Sequence, residues 1–261
     1  MSLPAALALR VPAPVLARCF WRGLFLQAAW NRRGMQNLGF AFAIDPALRA
    51  LYTQPERRRE ALARHLGFFN CHPYTAAAIL GGAIHHEEKA AAGAEPASAA
   101  ISFKATLQGP LAALGDGFFW TALRPFFGAL AALGALLLGW PAVVAALLVY
   151  NAIHLALRAG LFWTGYRQGD ALVPALARLA LPVMADRLRV GGAALCGVAA
   201  IAGATRAEAG AHGGAAALAA VAAGIGYLAL ARGVRLLPAT YAAIAAGVGV
   251  GLVVFHLRGS L

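Results

Sequence analysis

Long runs of uncharged, apolar residues dominate the second half of the chain. Three of these runs approach or exceed the ~20 residues that an α-helix needs to cross a bilayer, and they predict transmembrane helices. A further run, residues 190–204, is uncharged but short, and residues 105–123 are long enough but contain Gly109, Pro110 and Asp116. Together these runs predict about five transmembrane segments. The three clearest runs are residues 126–150, 213–231 and 239–255.

The first part of the chain has a different pattern, in which arginines alternate with bulky apolar residues at helical spacing. This pattern predicts amphipathic helices in residues 18–30, 46–52 and 55–69, lying on the membrane surface or on a partner. Residues 87–98 contain a glycine and a proline among alanines, which predicts a surface loop.

The distribution of charge divides the chain into two regions. Twelve of the 22 Lys and Arg residues have occurred by residue 104. We therefore expect a cytoplasmic or interfacial helical region at residues 1–104 and a transmembrane region at residues 105–261. Within the second region, residues 151–186 carry three arginines among apolar residues, which predicts an interfacial or re-entrant segment with some broken helix.

The basic loops predict the orientation of the chain. If all five runs cross the membrane, residues 186–189 and 232–235 lie on one side and the nearly neutral residues 205–212 lie on the other. The positive-inside rule then places the N-terminus in the cytoplasm and the C-terminus outside. The fold class predicted from the sequence is therefore an all-α, multi-pass membrane protein.

Composition agrees with a membrane protein and excludes several other classes. The chain is 61% hydrophobic and only 12% charged, whereas about a quarter of the residues in an ordinary soluble domain are charged. Its net charge of +12 is spread between apolar runs, so we expect no nucleic-acid binding. The three cysteines lack ligand spacing, and no nucleophile, phosphate-loop or dinucleotide motif is present, so the sequence predicts no metal site, no cofactor and no enzyme acting alone.

Asp116 is the most conspicuous polar residue in the apolar region. A carboxylate at membrane depth is costly and needs a partner or a function. Gly109 and Pro110 precede it, and broken helices at that depth line the polar cavities of transporters. Asp116 is therefore a candidate pathway residue, and the alternative is a structural ion pair with Arg124.

Two polar segments of the first region are further candidates. Asn70 and His72 flank an X-Pro step and could hydrogen-bond sugar hydroxyls, or they could only satisfy the backbone of a turn. Gln36 and Asn37 lie in a second polar segment, for which the alternatives are helix capping or contact with a partner. Residues 85–88, His-His-Glu-Glu, lack the spacing of a metal-binding helix and predict a solvated helix end.

Ten short segments with these polar residues occur in an order and spacing that resemble the IID component of the mannose/fructose/sorbose-type phosphotransferase system. The resemblance extends from about residue 18 to residue 169. The segments are FLQAAWN at 25–31, MQNLGF at 35–40, RHL at 64–66, FFN at 68–70, HPY at 72–74, GPLA at 109–112, GD at 115–116, FW at 119–120, LRP at 123–125 and GYRQG at 165–169.

The resemblance implies a function in sugar uptake. IID proteins pair with a IIC membrane subunit to form the sugar pathway, while separate IIA and IIB proteins relay phosphate from phosphoenolpyruvate through histidines. The resemblance thus implies a bacterial inner-membrane translocation subunit for a hexose such as mannose, obligately associated with IIC and assembled as an oligomer of IIC–IID heterodimers. The alternative is a docking or regulatory subunit that senses sugar or recruits IIB without transporting it.

On the matching positions, Asn70, His72 and Asp116 are expected to line the pathway. Gln36, Asn37 and Arg124 are expected to contact the partner or the sugar. No residue of this chain is expected to be phosphorylated or to act as a catalytic group.

Overall fold

The computed structural model describes residues 10–208, which fold as helices with no strand among them. The predicted all-α class is confirmed for this part of the chain, whereas the predicted spans at residues 213–231 and 239–255 lie outside it. The elements in chain order are α1 (Ala13–Gly23), α2 (Asn37–Leu51), α3 (Pro55–His65), α4 (Ala76–Ala91), α5 (Ala99–Gly115), a π-helix (Asp116–Leu123), α6 (Arg124–Leu138), α7 (Trp140–Gln168), a 3-10 helix (Gly169–Ala171), α8 (Leu172–Arg178) and α9 (Leu181–Glu208).

The described chain forms two compact units. The first contains the residues up to Gly128 together with Val144–Gly192, and the second contains Ala129–Val143 and the described residues from Ala193 onward. In the first unit α1 packs on α2 and α4 packs on α5. These helices bury a continuous apolar cluster because their apolar residues recur at helical spacing. Its fully buried members include Phe40, Ile44, Leu48, Ile79, Ile84 and Phe162.

Glycines allow α4 and α7 to touch through their backbones. A methyl group on Gly81 would overlap the carbonyl of Phe162, and one on Gly165 would overlap the carbonyl of Ala78. Small residues at a helix crossing permit this close approach, as is common between membrane helices. The contact fixes α7 against the apolar first half of α4.

The helix that contains Asp116 is continuous, contrary to the break predicted at Gly109 and Pro110. Pro110 lies inside α5, and helical hydrogen bonding continues through the π-helix that starts at Asp116. The proline removes one backbone hydrogen bond without ending the helix. Residue 104, where the sequence divides by charge, lies within α5.

The predicted span at residues 126–150 is instead divided between two helices. Gly139, with φ of 76°, joins α6 to α7. This left-handed conformation suits glycine because it has no side chain, which makes the turn possible without strain. In the second unit, Gly134 and Ala142 face each other across this turn, and Leu138 and Trp140 at its tip are exposed.

Two helical stretches, Ala99–Leu138 and Trp140–Ala200, are long and apolar enough to cross a membrane by length and composition. The second includes all of residues 151–186, the segment predicted to be interfacial, because α7 continues to Gln168 before the short 3-10 helix and α8. The count of five spans and the orientation of the termini remain predictions.

Candidate functional site

Gln36 holds the polar segment 70–75 in place. Its amide Nε2 donates to the carbonyl of Cys71 over 2.8 Å, and its Oε1 accepts from the Cys71 N–H over 2.9 Å. The same segment is tied to α5, because the Thr75 hydroxyl donates to the Leu111 carbonyl over 2.8 Å. Gln36 is buried, and both of its amide atoms are used, which favours a structural role for it.

Asn37 performs a similar task at the start of α2. Its Nδ2 donates to the Leu66 carbonyl over 2.6 Å, and its Oδ1 accepts from Asn31 Nδ2 over 2.9 Å. Met35, with φ of 57°, forms an isolated bridge with Phe69 nearby. These bonds dock the 31–37 turn on the segment that leads into Asn70, and the N-cap residue of α2, Gln36, makes no side-chain capping bond. Contact of Asn37 with the partner or the sugar stays a prediction.

His72 lies in an aromatic cluster against the π-helix. Its ring stacks on Phe119 with centroids 5.2 Å apart, and it meets Tyr74 and Trp120 edge-on. Burial, with a smaller effect of the Arg158 charge, lowers the pKa of His72 to about 4. The ring is therefore neutral at physiological pH.

The proton position on His72 follows from its one hydrogen bond. The Tyr74 N–H donates to His72 Nδ1 over 3.2 Å, so the neutral ring carries its proton on Nε2. Nε2 is buried and has no hydrogen-bond partner among residues 10–208. A buried donor without a partner is rare in native structures, which makes this atom a candidate contact for a ligand or water.

Asp116 is exposed and begins the π-helix. Its side chain makes no hydrogen bond or ion pair with another described residue, and the guanidinium of Arg124 instead lies over the Trp120 ring at 5.1 Å. The predicted Asp116–Arg124 pair is thus absent from the described contacts. Burial raises the pKa of the Cys71 thiol to about 12, and the Asp116 charge contributes less. Gly115, the residue before Asp116, packs directly on the His72 ring.

Asn70 completes this arrangement. Its backbone N–H donates to Gln108 Oε1 over 3.1 Å, and its exposed side chain makes no hydrogen bond within the described chain. The structure therefore brings His72 to the junction of α5 and the π-helix, where Asp116 lies. Asn70 lies further back along α5, at Gln108. Short π segments are common at functional sites, because their extra residue changes which side chains share a face.

Sequence reasoning missed two residues of α7 that extend the cluster. The His154 ring stacks on Tyr74 at 4.5 Å, and the Arg158 guanidinium lies over the same ring at 5.6 Å and donates to the Gly23 carbonyl. Arg158 is buried and has no carboxylate partner among the described residues. The sequence signal for Arg158 was its charge within an apolar run, because charged residues in such runs are usually functional or paired.

A second network, around Glu87, was also missed. The predicted solvated end at residues 85–88 is wrong, because Glu87 and His86 are buried. Glu87 accepts hydrogen bonds from Tyr52 over 2.8 Å, from Arg64 over 2.6 and 2.8 Å, and from His65 over 2.9 Å. Burial alone would raise the pKa of Glu87, but the bonds from His65 and Arg64 outweigh it and lower the pKa to about 2.

These features indicate a class of protein. A helical membrane protein with an unpaired carboxylate and a polar, aromatic-lined segment at one helix junction has the character of a transport subunit. Within the described residues no group of three or more His, Cys, Asp or Glu side chains could hold a metal ion.

Comparison with known proteins identifies the family. Residues 11–203 match the mannose/fructose/sorbose family IID component of the phosphotransferase system, and the chain belongs to that family. Its relatives include the mannose-specific EIID component of Escherichia coli K12, which is 43% identical over 162 residues. Another is the fructose permease IID component of Bacillus subtilis, which is 37% identical over 162 residues. These alignments cover 58% and 60% of this chain, and they span only 56% and 58% of the relatives.

Solved structures agree with this assignment. The cryo-EM structure of the mannose transporter ManYZ in complex with microcin E492 has a chain that is 34% identical, with a TM-score of 0.59. The similarity covers 74% of this chain and 71% of that one. The resemblance found in the sequence is confirmed, and the chain is a membrane protein of the IID family.

Proposed function

We propose that this chain forms, together with a IIC subunit, the pathway by which a hexose such as mannose enters the bacterial cell. The sugar is phosphorylated at the cytoplasmic face by IIB, which receives phosphate from IIA. The family assignment supports this proposal, and so does the similarity to a chain of the mannose transporter ManYZ. The chain itself supplies binding groups and holds no phosphate.

The observation that carries the proposal is two unused polar groups at one helix junction: the carboxylate of Asp116, and the Nε2–H of His72, whose ring packs on the neighbouring Gly115. Sugar hydroxyls donate to carboxylates and accept from ring N–H groups, so these two side chains offer complementary contacts. The exposed amide of Asn70 adds both a donor and an acceptor. Trp120, about one third exposed, presents an apolar surface next to them.

Uptake driven by phosphoenolpyruvate tests the proposal. A host that lacks its own phosphotransferase permeases is supplied with this chain and its IIC, IIA and IIB partners, and uptake of labelled mannose, fructose and sorbose is measured with and without this chain. Uptake of one sugar that depends on the chain is the expected result. A complex that assembles in the membrane but moves none of the three sugars would contradict the proposal and favour the docking or regulatory alternative.

The variant Asp116→Asn tests the site. A hydrogen bond to a charged group contributes about 1.5–3 kcal/mol, so we expect uptake efficiency to fall roughly ten- to a hundredfold. The matched control is Glu60→Gln, which removes one exposed carboxylate from α3. Full uptake by Asp116→Asn at equal amounts of assembled complex would show that Asp116 is not a pathway residue.

Association with IIC is proposed to be obligate. Buried polar atoms such as His72 Nε2 and the exposed apolar surfaces of the first unit are costly unless a partner or lipid covers them. We therefore expect the chain to co-purify with IIC and to aggregate when it is produced alone. A folded, monodisperse preparation of the single chain would contradict this expectation.

A further inference from the structure

An apolar groove of about 920 Å³ lies within the first unit, and none of Asn70, His72 and Asp116 lines it. Its walls come from the π-helix, α6, α7, α8 and α9, all within the part of each helix that belongs to that unit. The lining is apolar apart from a few positions, and it includes exposed Leu179 and Met184. A groove of this size could hold one or more alkyl chains.

Two arginines give the groove a charge. Arg178, at the end of α8, and Arg187, on α9, both line it and are exposed. Neither makes a hydrogen bond or ion pair with another described residue. By contrast, Arg189 is held by Asp186, Thr121 and the Gly117 carbonyl. The acid next to the groove is therefore already paired, and the groove carries two uncompensated positive charges.

We propose that this groove binds an anionic phospholipid, with an acyl chain against the apolar walls and the phosphate at Arg178 and Arg187. Basic positions beside apolar clefts between membrane helices are the usual way in which proteins hold acidic lipid head groups. Charge decides between lipid and a protein helix, because an apolar helix of a partner would leave both guanidinium groups unpaired. The Gln168 amide, also on the lining, adds a donor for the head group.

Removal of the two charges is the first test. The full chain is purified with its IIC partner from membranes that contain phosphatidylglycerol and phosphatidylethanolamine, and retained lipids are quantified by mass spectrometry. For Arg178→Gln with Arg187→Gln, we expect the preference for the anionic lipid to fall about 25-fold, because one arginine near a membrane surface contributes about fivefold. The matched control is Arg167→Gln at the end of α7, where the arginine lies over Trp163 and outside the groove.

Blocking the groove without changing its charge is the second test. Gly160 lines the groove, and a methyl group there would meet no atom within 4 Å. The leucine of Gly160→Leu therefore has room to enter the groove, and we expect it to displace the retained lipid while the complex still assembles. The double lysine variant, Arg178→Lys with Arg187→Lys, should keep most of the lipid preference.

Two results would overturn the proposal. One is equal retention of phosphatidylglycerol by the parent complex and by both the double glutamine and the Gly160→Leu variants. The other is capture of a IIC segment, rather than lipid, by a photocrosslinker placed at Met184, which would show that the groove is a subunit interface. Neither result depends on sugar uptake, so they are distinguishable from a failure of the transport proposal.

Discussion

The variant Glu87→Gln should strongly destabilise the first unit. The side chain of Glu87 is fully buried, and its two oxygens accept from Tyr52, Arg64 and His65. The glutamine replaces one carboxylate oxygen, which accepts hydrogen bonds, with an NH₂ group that points at the donor groups of these neighbours. It also leaves the Arg64 guanidinium without its counter-charge. Removing one member of a buried ion pair costs about 3–5 kcal/mol.

The structure places the cost at the lower end of that range. Arg64 retains about one fifth of its side-chain exposure, so water can partly solvate the freed charge. The lowering of the Glu87 pKa from 4.5 to about 2 corresponds to roughly 3 kcal/mol. For a unit of this size, 3 kcal/mol lowers the melting temperature by about 6–12 °C.

The assay is thermal unfolding of the detergent-purified complex with IIC, followed by size-exclusion chromatography after heating. Glu60→Gln is the control, since it makes the same chemical change at an exposed position of α3. The reasoning is refuted if Glu87→Gln melts within about 1 °C of the parent, because the hydrogen bonds would then contribute no net stability.

Two further predictions concern the same unit. The folded state lowers the pKa of both His65 and Glu87, so their contribution to stability is complete above about pH 6.5. As the pH falls, the contribution of His65 is lost first, and that of Glu87 is lost from 4.5 towards 2. Melting temperatures measured from pH 7.5 to 4 should therefore decrease, and they should decrease less in Glu87→Gln. The variant Gly165→Leu should prevent assembly with IIC, because the leucine side chain would overlap the Ala78 backbone. A normal yield of co-purified complex would contradict the close α4–α7 packing. Gly160→Ala is the control.

The sequence predicted the membrane class and the polar segments well, because these depend on composition and local spacing. Uncharged runs and the X-Pro step at His72 are visible without any tertiary information. The break at Gly139 was missed, since a glycine inside an apolar run is common and its φ is set by packing. The continuous helix through Pro110 was missed because a proline usually ends or kinks a helix, and local sequence does not show where packing keeps the helix intact.

The Glu87 network shows a different limit of sequence reasoning. Tyr52, just after α2, and two residues of α3 lie between 22 and 35 residues from Glu87 along the chain. Only their packing makes a charged cluster out of them. A His-His-Glu-Glu stretch read alone is more typical of a solvated helix end. Burial of such charges requires several partners at once, and no local pattern reports them.

The described contacts separate two kinds of polar residue at the candidate site. The side-chain amides of Gln36 and Asn37 hydrogen-bond to backbone atoms of the neighbouring segment and hold it in place. Their position next to the candidate site explains why sequence patterns group them with it. Asn70 and Asp116 keep their side chains free of bonds to the described chain, and His72 keeps one N–H free. Selective binding of a hydroxylated substrate requires a few polar groups that lack partners and are held in place by rigid neighbours. Such preorganised donors and acceptors lose little entropy when the ligand binds.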